Sequence, residues 1–122
     1  MYLYFDKKGR FSSANILPGI KLCRNSLSKD TSLLPRIELK VPETIIAKNT
    51  VDAMNTGLMF GHVDMVEGML NRYRKELKMD IKVVVTGGNM NKVKILMNPE
   101  YIFDDDLTLD GLYTIYTLNR KQ

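Results

Sequence analysis

The sequence predicts a single α/β domain, residues 1–122, built on a mixed sheet, and three observations carry that prediction. The stretch "YLYFDKKGRFSSANI" alternates apolar and polar residues around Asp6-Lys7-Lys8-Gly9, the pattern of two short strands joined by a tight turn. From Ile20 onward, helical and extended patterns alternate. Finally, "IKVVV" (81–85) is apolar on both faces, as a strand is when helices cover both sides of its sheet.

The remaining elements follow in order. Pro18-Gly19 ends the second strand, and "IKLCRNSLSKD" reads as a short helix with Ile20, Leu22, Cys23 and Leu27 inward. "TSLLPRIELKVPETIIAKN" carries two prolines and little periodicity, so a loop is expected, with a short extended piece near Ile37–Leu39. A long helix is expected from Thr50 to Leu77, capped by Asn49 or Thr50, whose short side chains can accept from unpaired first-turn N–H groups. Val51, Met54, Leu58, Met65, Met69 and Tyr73 recur at helical spacing, and Val66, Leu70 and Leu77 widen the stripe. Gly57 and Gly61 share one face, where glycine costs about 1 kcal/mol against alanine. That cost is read as the mark of tight packing against a neighbouring element. After the strand at 81–85 come Thr86-Gly87-Gly88, a short helix in "NKVKILM", a strand in "EYIF", a turn at "DDD" and a last helix in "LTLDGLYTIYTLN".

Composition excludes several classes of function. The hydrophobic share is 44% and the charged share 26%, as in an ordinary globular protein. No apolar run approaches the ~20 residues of a membrane span, and "MYLYFDKKGR" lacks a signal-peptide layout. Cys23 has no partner for a disulfide, which suits a reducing cytoplasm. The net charge is +4, but its densest runs, "KK" at 7–8 and "RYRK" at 72–75, read as solvated faces rather than a nucleic-acid patch. His62 stands alone, with no second histidine or cysteine at ligand spacing. Asp104-Asp105-Asp106 reads as a solvated turn that starts the last helix, with Asp106 or Thr108 as its cap, and not as a metal site. No GxSxG, GxxxxGK[ST] or HExxH motif occurs.

Thr86-Gly87-Gly88 remains. A strand that ends in two glycines and leads into a helix lets a flat ligand or a phosphate approach the backbone with no Cβ in the way. Pro18-Gly19 is a second glycine-bearing turn after a strand, and the two turns are expected to face one cleft.

In this order, "ILPGIKL", "SLLPRIEL", "KNTVDAMNTGLMFG", "VVVTGG" and "DDDLTLDGLYTIY" resemble the C-terminal half of type III pantothenate kinases, members of the actin-like ATPase superfamily. The resemblance runs from about Asp6 to Asn119. It implies an incomplete RNase H-like half-domain, a mixed sheet with helices on both faces that lacks its first central strand. It implies ATP-dependent phosphorylation of pantothenate, the opening step of coenzyme A synthesis. Thr50 matches the threonine that helps bind pantothenate, Thr86, Gly87 and Gly88 the turn near the adenosine of ATP, and Pro18 and Gly19 the other turn beside the nucleotide.

The sequence departs from that family in two ways. Ser13-Ala14 stands where the family has Gly-Gly, and added side chains there are expected to reshape the nucleotide cleft. The family's two phosphate loops, Asp-x-Gly-Asn-Thr and Gly-Thr-Ala, and its general-base aspartate have no counterpart in these residues. No catalytic residue is therefore assigned to this chain. The divalent cation, Mg by expectation, and any monovalent cation fall to the absent half. The reading that follows is the small subunit of a split kinase. Its partner, an N-terminal-half chain, donates the central strand and the catalytic groups, and dimerisation gives a heterotetramer. A kinase-like regulatory or binding subunit, DNA-associated or not, is the alternative.

Overall fold

Asp6 organises the start of the chain. Its carboxylate accepts from the backbone N–H groups of Lys8 and Arg10, both at 2.9 Å, and from Arg10 Nε at 3.2 Å. Gly9 supplies the positive φ, +75°, that closes this turn. The turn joins β1 (Tyr2–Phe5) to β2 (Phe11–Asn15) as an antiparallel pair, with Tyr2 opposite Asn15 and an irregularity between Tyr4 and Phe5. The hairpin matches the sequence expectation. Its face bearing Leu3, Phe5 and Phe11 is nevertheless exposed, and the rings of Phe5 and Phe11 meet edge-on at 6.1 Å.

The structure is a computed structural model that describes residues 1–120. The chain forms two compact units, Met1–His62 and Val63 onward. In the first unit the hairpin is followed by α1 (Ile20–Lys29), whose N-cap is Gly19. Ile20 is only 2% exposed, and Cys23 and Leu27 are half-buried. Leu22 departs from its expected inward place: it is 62% exposed, because it lies on the opposite side of the helix from the core. Residues 31–49 form a loop without a strand, yet Ile37 and Leu39 are buried.

Helix α2 (Thr50–Leu77) has the predicted ends. Asn49 is its cap. The Asn49 carbonyl accepts from Ala53 N–H at 2.9 Å, Oδ1 accepts from Asp52 N–H at 2.9 Å, and Nδ2 donates to the Asp52 carboxylate at 2.7 Å. The buried stripe runs through Met54, Leu58 and Met59 in the first unit and Val63, Val66 and Leu70 in the second. Val51, Met65, Met69 and Tyr73 lie outside the fully buried set. The expectation for Gly57 and Gly61 is overturned: nothing lies within 4 Å of where a Cβ would stand at either position. They point away from the packed side of the helix.

In the second unit, β3 (Val84–Val85) pairs in parallel with β4 (Ile102–Phe103). Both strands are shorter than the sequence predicts, since only two residue pairs face one another. Between them lie α3 (Met90–Val93) and a 3₁₀ turn (Lys94–Leu96), where a single helix was expected. Val93, Met97 and Tyr101 complete this unit's core. The last helix is α4 (Leu107–Arg120), and none of its residues is buried. Among the described residues, the expected single mixed sheet is instead two separate two-stranded sheets, one antiparallel and one parallel. Val84 and Ile102, side by side in the parallel pair, are both exposed.

Three measurements test this account. Asn49→Ala should lower unfolding stability by about 1 kcal/mol in denaturant titration, while Thr50→Ala should leave it nearly unchanged. Gly87 holds φ +114°, so Gly87→Ala should cost roughly 1–3 kcal/mol by the same titration. The Asp6 pKa lies below its usual 3.8, chiefly because the Arg10 backbone N–H stabilises the carboxylate. A depressed carboxyl pKa adds stability above the unfolded-state value and loses it as pH falls through the folded one. Asp6→Asn should therefore flatten the acid limb of the stability curve below about pH 4.

Candidate functional site

Thr50 is the first residue of α2 and is exposed. Because Asn49 makes the cap, the Thr50 hydroxyl takes no part in it. Of the two roles open to Thr50 from sequence, the cap therefore falls to Asn49. The adjacent first-turn N–H groups place partial positive charge at the same end. An anionic or hydroxylated ligand meets both.

The loop before Thr50 is tied to α2 a second time. Asn55, 8% exposed, accepts from Lys40 N–H at 3.0 Å through Oδ1 and donates to the Lys40 carbonyl at 2.5 Å through Nδ2. Sequence reading missed this clamp. The available signal was a polar residue on the buried side of the helix, beside Met54 and Leu58.

Thr86, Gly87 and Gly88 follow β3 directly, so they stand at the carboxyl end of a parallel strand, where ligands bind in open α/β sheets. Thr86 is half-buried and both glycines are exposed. The positive φ of Gly87 turns the chain, and its carbonyl accepts from Met90 N–H at 3.1 Å to start α3. Space beyond both glycines is open, as close approach of a ligand to the backbone requires. The end of β4 lies alongside: Asp104 N–H donates to the Val85 carbonyl at 2.9 Å. A shallow concavity of about 510 Å³ follows the turn, lined by Asn91, Lys94, Ile95, Met97, Pro99 and Phe103. Lys94 Nζ sits 5.0 Å from the Phe103 ring centre.

Behind this region, Tyr101 fastens the start of β4 to α2. Its hydroxyl donates to the Glu67 carboxylate at 2.6 Å, and burial together with that carboxylate raises its pKa above 10.0. Arg74, bound to Asp80 at 3.3 Å, completes the cluster.

Pro18 and Gly19 are exposed in the first unit, and Gly19 has ordinary extended φ of −72°. Ser13 and Ala14 are regular residues of β2, opposite Tyr4 and Leu3, so the strand accommodates their side chains. Asp104 Oδ1 accepts from Asp106 N–H at 3.1 Å, and the Asp106 carbonyl receives the first bond of α4, from Asp110 N–H at 2.8 Å. The turn thus starts the helix, as the sequence predicts. His62 is partly buried in the middle of α2, and burial lowers its pKa below 6.5. Among the described residues, no three His, Cys, Asp or Glu side chains group closely enough to hold a metal ion. Nor is any described helix long and apolar enough to cross a membrane.

The family model for type III pantothenate kinase matches residues 1–72. The chain is 38% identical over 117 residues to a protein of Syntrophotalea carbinolica described as type III pantothenate kinase. That match covers 96% of this chain but 46% of the relative, so the chain spans about half the relative's length. Matched over most of its residues by both comparisons, the chain belongs to the type III pantothenate kinase family.

Proposed function

We propose that this chain is the small subunit of a split type III pantothenate kinase. In this reading it binds pantothenate and the adenosine of ATP, while an N-terminal-half polypeptide supplies the catalytic base and both phosphate loops. The observation that carries the reading is the large apolar surface that the hairpin, the parallel strand pair and α4 leave exposed on a chain of the kinase family. Thr50 is the pantothenate contact, supported by its exposed hydroxyl at a helix N-terminus already capped by Asn49. Thr86, Gly87 and Gly88 receive the adenosine, supported by the open space beyond both glycines. Pro18 and Gly19 form the second nucleotide-side turn.

Phosphoryl transfer is achieved largely by positioning and by stabilising charge on the transferred group. The γ-phosphoryl of ATP passes to a pantothenate hydroxyl, whose proton goes to the base on the other polypeptide. This chain's part is to orient both substrates. The divalent cation, Mg in this reading, and any monovalent cation are held mainly by the N-terminal half.

Exposed apolar surface supports a covering partner. Leu3, Phe5 and Phe11 on the hairpin, Val84 and Ile102 on the parallel pair, and Leu112, Tyr113 and Tyr116 on α4 all face solvent in this chain. Parallel strands are almost always covered on both faces, and a free helix as short as α4 is marginal in water. Two copies of each polypeptide form the expected cytoplasmic heterotetramer.

Co-expression with an N-terminal-half polypeptide should give a stable complex that phosphorylates pantothenate with ATP, whereas neither polypeptide does so alone. A well-folded, monomeric solitary chain with sharp thermal unfolding, and no activity in the mixture, would count against the proposal. Salt-dependent DNA retention by an inactive complex would favour a regulatory subunit instead. Within the active complex, Thr50→Ala should raise KM for pantothenate roughly tenfold or more and leave KM for ATP within about twofold. Equal effects on both substrates would remove Thr50 from the pantothenate site.

A further inference from the structure

We infer that Asn55 is a positioning residue for the substrate end of α2, an inference that rests on the kinase reading above. Through Lys40 it sets the course of the loop Val41–Lys48, which then forms one wall of the pantothenate subsite beside Thr50.

The argument begins with the side-chain amide. Asn55 spends both its acceptor and a donor on the N–H and C=O of one residue, Lys40, fifteen positions earlier. This is the double contact one strand makes to a neighbour, supplied here by a helix side chain. The amide is buried and the flanking Ile37 and Leu39 are buried with it, so the clamp is shielded from competing water. The loop's other end is fixed by Asn49, whose side chain makes two contacts to Asp52.

The two anchors on α2 are about 9 Å apart along the axis at the helical rise of about 1.5 Å per residue. The roughly eight residues between Lys40 and Asn49 extend to at most about 28 Å, far more than that gap. The loop must therefore arch out and return to the helix at Thr50. Within it, Thr44 Oγ1 accepts from Ile46 N–H at 3.1 Å, which gives the arch a local turn. Ile45 and Ile46 at that turn are exposed. Apolar side chains on an arch that ends at a ligand-binding hydroxyl suit pantothenate, whose geminal methyl groups lie beside its hydroxyls. The buried clamp makes no direct substrate contact. It acts through the path of the loop.

The test uses the complex with the N-terminal-half polypeptide. Asn55→Ala should raise KM for pantothenate roughly tenfold, with KM for ATP and kcat within about twofold. Amide exchange at Lys40 and across Val41–Lys48 should quicken, while exchange in the second half of α2 stays unchanged. Ile45→Ser with Ile46→Ser, both surface changes that spare the fold, should raise KM for pantothenate alone by severalfold. Faster loop exchange with unchanged KM for pantothenate, or an equal rise in both KM values, would overturn the inference and leave Asn55 a purely structural clamp. If Asn55→Ala fails to assemble, the double loop variant decides, and its unchanged KM for pantothenate overturns the inference. A wild-type complex that does not phosphorylate pantothenate overturns the kinase reading and this inference with it.

Discussion

Burial of one stripe of α2 is the constraint on which the other elements depend. Met54, Leu58 and Met59 serve the first unit and Val63, Val66 and Leu70 the second, so a single helix furnishes core to both. A helix of this length gains little from intrinsic propensity and is held chiefly by packing of its apolar side. Two recorded side-chain ties fasten other parts of the chain to this helix. In the first unit, Asn55 brings the loop around Lys40 onto the helix with a pair of hydrogen bonds. In the second, Tyr101 does the same for the start of β4 through Glu67. Two buried polar anchors thus direct what hydrophobic contact alone would leave loosely specified.

The same helix leaves its other side bare. Gly57 and Gly61 face open space, and so do the apolar residues of α4 and the Val84–Ile102 side of the parallel pair. These surfaces share a physical meaning. Each carries a cost when exposed, whether glycine within a helix or large apolar groups in water. Within the proposed assembly they are the places that another polypeptide, or a second copy of the complex, would cover.

The division of labour at the site also has a physical basis. Asn49 caps α2, so the helix makes no use of the neighbouring Thr50 hydroxyl as a cap. Thr86-Gly87-Gly88 ends a parallel strand and reverses the chain through a positive φ at Gly87, leaving its backbone open. In the first unit, the start of α2 gathers unpaired first-turn donors. In the second, the glycine turn offers a flat approach to backbone.

Local patterns alone determined the hairpin around Asp6-Gly9, the span of α2 and the start of α4, because turn chemistry, capping side chains and the 3.6-residue period act within a few residues. The ordered short motifs likewise sufficed for family membership. Tertiary structure decided the rest. Whether Asn49 or Thr50 caps α2 depended on which side chain reached Asp52, and the exposure of Leu22, Gly57 and Gly61 depended on what packs nearby. The division into two small sheets, and the clamp from Asn55 to Lys40, rest on contacts between residues far apart in sequence. Periodicity records which residues share a side of an element, but only the folded chain determines whether anything lies against that side.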